Sequence, residues 1–173
     1  MPHRKNLAAP SQELVAHPTK VVLFLCTANY YRSRFSESLF NALAEEKGLR
    51  WRAISRGFQT WLLDGEKPIS AFTVERLAGW GLHLALPIRF PIQLCQTDLE
   101  SADLVVALKE EEHRAMMRAQ FPAWTDRIQY WHVDDLDCAT PDEALPGCEA
   151  RVQALVRGLL AEQEAHEALG VSA

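Results

Sequence analysis

The strongest pattern along the chain is an unbroken apolar run, Val21-Val22-Leu23-Phe24-Leu25, with no polar alternation. Such a run reads as a strand buried on both faces, as in a parallel sheet. After a short polar stretch, Phe35, Leu39, Ala42 and Leu43 recur at i, i+4, i+7 and i+8, one face of a helix, with Gly48 as its stop. Trp51 to Ser55, closed by Gly57, predicts a second, short strand. Pro68 opens a helix expected to end near Gly81, with Ala71, Val74, Leu77 and Ala78 turned inward. Residues 82–100 contain Pro87 and Pro91 and read as a loop with one helical turn. Leu104 to Leu108 is another clean buried strand. Glu110 to Gln120 is a helix whose first turn carries three Glu, favourable at the positive end of its dipole, and Pro122 ends it. Arg127 to Trp131 predicts a fourth strand, and residues 132–147 an acidic, proline-containing loop. Val152, Leu155, Val156, Leu159 and Leu160 then mark the apolar stripe of a final helix.

Strands alternating with helices imply an α/β fold: a three-layer sandwich around a four-stranded parallel sheet. The 173 residues suit one domain. Residues 1–19 hold three prolines and no periodicity, so they are expected to form a flexible N-terminal arm before a domain over 20–173. A composition of 48% hydrophobic and 24% charged residues excludes wholesale disorder. The longest apolar run, Val21 to Cys26, is far short of the ~20 residues of a membrane span and below the roughly 7–15 of a signal peptide's core, so neither is expected. The net charge of −5 argues against nucleic acid as a partner, and any anionic ligand must be held by local geometry. Cysteines 26, 95, 138 and 148 are dispersed and form no C-x-x-C pair, so no disulfide scaffold, metal site or cofactor is expected. Free thiols point to the cytoplasm.

In open α/β folds, ligands gather beyond the carboxyl ends of the strands. That rule directs attention to Cys26-Thr27-Ala28-Asn29-Tyr30-Tyr31-Arg32-Ser33, a Cys and an Arg separated by five residues. A loop from strand to helix can turn successive N–H groups inward and form an anion nest at the helix's positive end. The same field favours the Cys26 thiolate, the attacking form. The planar fork of Arg32 grips two phosphate oxygens at once. Ser33 is placed to donate a hydrogen bond to the thiolate, and Asn29 suits a left-handed turn. From the residues alone a plainer alternative stands: a cysteine ending a buried strand is commonly a small core hydrophobe, and short spacings arise by chance.

Residues 22–37, V-L-F-L-C-T-A-N-Y-Y-R-S-R-F-S-E, resemble the signature of the low-molecular-weight protein tyrosine phosphatase family and its arsenate reductase relatives. There a strand runs into C-x-x-N-x-x-R-S and a helix with an early Glu, matched here by Glu37. Ser55-Arg56-Gly57, with Trp61 beyond, is similar to the family's S-x-G turn and following aromatic. Trp131-His132-Val133-Asp134-Asp135 resembles its W-x-V/I-x-D segment, whose Asp is the general acid. The resemblance spans residues 20–160 and implies a phosphomonoester hydrolase acting through a phosphocysteine, without metal or cofactor. Its substrate would be phosphotyrosine in a phosphorylated protein, or a small aryl phosphate. It assigns catalysis to Cys26, Arg32 and Asp135, with Asp134 as the competing acid, phosphate binding to residues 27–33, and the pocket walls to Tyr30 and Trp61.

The chain departs from that pattern at four places. Ala28 replaces a usual Gly, which would cost about 1–2 kcal/mol if that position required positive φ. Tyr31 replaces the loop's second cysteine, which removes the reversible intraloop disulfide, and Tyr30 replaces a common Ile or Thr. Leu136, Asp137 and Cys138 replace a Pro and tyrosines after the acid. Two other function classes stay open: a thiol-coupled arsenate reductase, for which Cys95 alone represents the relay thiols, and a non-catalytic phosphate- or phosphoprotein-binding module. Arg34 and His113 read as surface charges on exposed helix faces, and Cys148 as core. Oligomeric state is not legible.

Overall fold

The computed structural model describes residues 19–63, 65, 67–133 and 141–170. Strand β1 (Lys20–Cys26) is buried from its second residue onward. Val22, Phe24 and Cys26 face one hydrophobic core, and Leu23 and Leu25 face another, so the run lacks polar alternation because both faces are covered. Helix α1 (Arg32–Lys47) follows and ends at Gly48, whose φ of 65° is the left-handed stop expected there. Strand β2 (Trp51–Gly57) lies parallel to β1. After helices α2 (Ala71–Gly79) and α3 (Gln96–Ser101), strand β3 (Leu104–Ala107) pairs with the other side of β1. Helix α4 (Glu110–Gln120) leads to β4 (Gln129–Tyr130), and helix α5 (Pro141–Ala168) closes the chain.

The sheet is parallel in the order β2-β1-β3-β4. On one face, Phe35, Leu39, Phe40 and Leu43 of α1 pack with Cys148, Val152 and Val156 of α5. On the other, Leu99 of α3 and Met117 of α4 pack with Phe58, Val105 and Ala107. This is the expected three-layer sandwich. The chain leaves β1 for β2 on one side and later returns to β3 on the other. The carboxyl end of β1 is therefore the switch point where such sheets open a crevice.

Three expectations need correction. Of the residues expected to face inward from α2, only Leu77 is buried, whereas Ala71, Val74 and Ala78 are exposed. The inner face is Thr73 and Leu77, four residues apart, and the Thr73 hydroxyl donates to the Tyr31 carbonyl at 3.3 Å. One polar anchor thus outweighs the apolar period of a nine-residue helix. The fourth strand is only two residues long, yet Trp131 and Val133 continue along the edge by donating to Ala107 and Leu108 carbonyls at 2.8 Å. Finally, α5 begins at Pro141, although residues up to 147 read as loop. Proline suits a first turn. Pro146 lies inside the helix and forgoes one backbone bond, while its neighbours Leu145 and Cys148 are fully buried. The N-terminal arm, residues 1–18, and residues 134–140 lie outside the described residues. Among the described residues, no helix is long and apolar enough to cross a membrane.

Candidate active site

The segment between β1 and α1 takes its shape from what holds its carbonyls. Cys26 O accepts from Phe58 N at 3.1 Å, Thr27 O from Gln59 N at 2.8 Å and Tyr30 O from Ser70 N at 3.0 Å. Tyr31 O accepts from Phe35 N at 3.0 Å and from the Thr73 hydroxyl. In a planar trans peptide the next residue's N–H points opposite the carbonyl. With these carbonyls fastened from outside, the N–H groups of Thr27, Ala28, Tyr31 and Arg32 are directed to the loop's interior. Asn29, at φ 53°, is the single non-glycine residue with positive φ among the described residues, and it makes the reversal. The result is an anion nest at the head of α1. Ala28 therefore carries none of the left-handed strain that its replacement of glycine threatened. The glycine that matters is Gly57, because a Cβ there would stand 2.8 Å from Asn29 N and 2.9 Å from the Ala28 carbonyl carbon.

Cys26 Sγ lies 2.9 Å from Ser33 Oγ. The direction of this bond follows from its neighbours. Asn29 Nδ2 donates to Ser33 Oγ at 3.0 Å and to Ser55 Oγ at 2.8 Å, so the Ser33 proton is left for the sulfur. Ser55 in turn donates to Glu37 Oε2 at 2.5 Å. Arg89 closes the network, donating to Glu37 Oε2 at 2.5 Å, Ser55 Oγ at 2.9 Å and Asn29 Oδ1 at 3.1 Å. Asn29 is fully buried, so its orientation, and with it the Ser33 hydroxyl, is fixed by charge-assisted bonds. The role of Arg89 could not be read from the sequence: it sits in a proline-rich loop and meets its partners only through the fold.

Arg32 heads α1 and is 1% exposed. Its Nη1 donates to Val133 O at 3.0 Å, and its Nη2 lies 3.7 Å from Glu112 Oε2. Glu112 also accepts a hydrogen bond from the Thr27 hydroxyl. His113 is fully buried rather than exposed, its ring packed at a tilt of 36° against Phe58 with centroids 5.5 Å apart. Lys109 N donates to its Nδ1 at 3.0 Å, so the proton of the neutral ring sits on Nε2, 3.3 Å from Thr27 Oγ1. Burial, followed by the charges of Arg32 and Lys109, holds this imidazole well below its usual range. Only the pairing of His113 with Met117 at i, i+4 on the inner face of α4 hints at this from sequence.

Arg34 also proves buried. Its guanidinium donates to Pro68 O and Arg89 O at 3.0 and 3.1 Å, tying α1 to both neighbouring loops, and burial lowers it to about 10. Tyr31 fills the core behind the loop. Tyr30 is half-buried, and Trp61 is 63% exposed in the turn that follows Gln59, whose N–H donates to Thr27 O. Cys148 is core, as expected, and burial pushes its thiol up to about 12. Cys95 is exposed, with its thiol donating to Asp98 at 3.1 Å. Asp134 and Asp135 lie outside the described residues, but the chain enters that segment from Val133, whose carbonyl Arg32 holds.

Comparison with known proteins bears on the family and the fold. The family model for low molecular weight phosphotyrosine protein phosphatase matches residues 21–166. The protein-arginine-phosphatase of Bacillus subtilis (strain 168) is 31% identical over 107 residues, covering 62% of this chain and 67% of that protein. The structure of YfkJ from Bacillus subtilis superposes with a TM-score of 0.72 at 23% identity, over 85% of this chain and 98% of that one. That of a low molecular weight protein tyrosine phosphatase from T. tengcongensis does so with a TM-score of 0.63 at 26% identity, over 84% and 98%.

Proposed function

The chain belongs to the low molecular weight phosphotyrosine protein phosphatase family, and from that premise we propose that it hydrolyses phosphorylated protein side chains with Cys26 as nucleophile, Arg32 as phosphate clamp and Asp135 as general acid. The observation that carries the reading is the Ser33 hydroxyl, aimed at Cys26 Sγ at 2.9 Å by a buried asparagine.

Cys26 thiolate attacks phosphorus in line and forms the S–P bond, while the bond to the leaving group breaks. The inward amides and Arg32 hold the equatorial oxygens through a loose transition state. Taking up the phosphoryl group exchanges the contact of Arg32 with Glu112 for one with substrate. Asp135 gives its proton to the departing atom. Water then gives a proton to the same Asp and attacks phosphorus, and sulfur leaves as a thiolate received by the Ser33 hydroxyl. Tyr30 and Trp61 offer aromatic surface to a flat leaving group. The phenol ring of phosphotyrosine is one such group. The name of the arginine phosphatase relative adds a second, the guanidinium of phosphoarginine. An arsenate relay is less well supplied, since the Cys95 thiol is engaged by Asp98 and Cys148 is sealed in the core.

The test is turnover of an aryl phosphate by three variants. C26S abolishes it with the fold intact, and D135N slows phosphotyrosine hydrolysis by about 10² or more, with a smaller loss on an activated nitrophenyl ester. D134N stays within about tenfold of the parent. Reversed Asp effects would make Asp134 the acid, and a parent that binds phosphate but turns over no ester would be a binding module.

A further inference from the structure

In the steps above the carboxylate of Glu112 only gives up Arg32 to the substrate, yet it stands against the phosphate loop. One oxygen accepts the Thr27 hydroxyl at the first position after the nucleophile, and the other faces Arg32 at 3.7 Å. The neighbouring His113 ring is 4.0 Å away and held neutral by its burial, so it adds no positive charge beside Glu112, whose charged partner at this distance is Arg32. The carboxylate is half-buried, where Coulomb effects exceed those in open solvent.

An incoming phosphoryl dianion claims the positive charge of Arg32 and so meets Glu112 as a like charge on the flank of its own binding site. A neutral phenol leaving group does nothing to relieve that repulsion. A guanidinium leaving group does, because it brings a positive charge and a planar fork of N–H donors. The carboxylate has acceptor sites left after Thr27 is served. The same flat cation is at home against the aromatic faces of Tyr30 and Trp61.

We propose that Glu112 is the specificity-determining residue that sets the charge preference of the pocket, favouring a phosphoryl group carried on a guanidinium, as in a phosphoarginine side chain, over one carried on a neutral phenol. The proposal rests on the phosphatase reading above. E112Q isolates the charge, since the amide keeps the shape and an acceptor for Thr27.

The experiment compares kcat/KM for two peptides of one sequence, one bearing phosphoarginine and the other phosphotyrosine, with nitrophenyl phosphate as a reference. The parent protein should prefer the phosphoarginine peptide. In E112Q that ratio should fall by about tenfold or more, through a higher KM for phosphoarginine and a lower one for phosphotyrosine. Salt near 1 M, where the screening length is about 3 Å, should compress the parent's ratio and leave that of E112Q nearly unchanged. E112A, which removes charge and hydrogen bond together, should match E112Q. A ratio that E112Q leaves in place, or that only E112A moves, overturns the proposal and makes Glu112 a support for the loop. Turnover of nitrophenyl phosphate reports on the phosphatase reading separately, so that reading can survive the loss of this one.

Discussion

At the scale of single residues, the direction of one proton decides what the loop can do. Ser33 Oγ receives Asn29 Nδ2 and so presents its hydrogen to Cys26. A hydrogen bond to a charged acceptor contributes about 1.5–3 kcal/mol, and here it is felt most when sulfur departs as a thiolate. Ser33→Ala should therefore slow dephosphorylation of the enzyme about 10- to 100-fold. Stopped-flow with nitrophenyl phosphate should then show a burst of nitrophenol followed by a slow steady state. Equal slowing of both phases, without a burst, would mean that the hydroxyl serves only the attack. Cys26, Asn29, Arg32 and Ser33 were legible in sequence because each residue type is tied to one task by its place in the loop. Arg89, Glu112 and His113 were not. They acquire their roles from partners about 50 to 90 positions away, and Arg34 and His113 carry polarity that a reading by composition assigns to the surface.

At the scale of elements, the nest depends on a strand that contributes none of its inward amides. Strand β2 reaches the loop with Gly57, whose missing side chain lets the Ala28–Asn29 backbone pass within van der Waals contact. Gly57→Ala forces backbone against backbone, where no flexible tip can yield. Overpacking of this kind costs about 1–3 kcal/mol. Urea unfolding should show that loss. Because the clash falls on Asn29 N, kcat/KM for an aryl phosphate should drop by about tenfold or more as the loop amides move. A variant that loses stability but keeps full activity would show that the loop can shift as a rigid piece. Elements whose periodicity serves burial, such as β1 and α1, matched their sequence pattern closely. The exceptions have physical causes: α2 is held by the Thr73 hydroxyl, and α5 starts with a proline at its head and another within its helix.

At the scale of the whole molecule, the phosphate loop joins the two hydrophobic cores. Cys26 and Tyr31 belong to the core under α1 and α5, while Thr27 leans on His113, which packs on Phe58 in the core under α4. The neutrality of His113 is thus a property of the whole fold, and it links folding to pH. Its folded-state value is depressed by burial, Arg32 and Lys109, whereas in the unfolded chain it returns to about 6.5. Below that pH the unfolded chain takes up a proton that the folded one refuses. Stability is therefore complete above about pH 6.5 and falls with decreasing pH, by up to about 1.4 kcal/mol per unit. Asn at position 113 can still accept from Lys109 N but cannot titrate. His113→Asn should lower stability at every pH through lost packing, yet its unfolding free energy should change less than the parent's between about pH 7.5 and 5.5, by about 1 kcal/mol. Urea titrations at the two pH values measure that difference. Ordinary carboxylates titrate mostly below this window, so they do not mask it. Equal slopes in the two proteins would mean that the imidazole takes up its proton inside the fold, and that the charge beside Thr27 changes with pH.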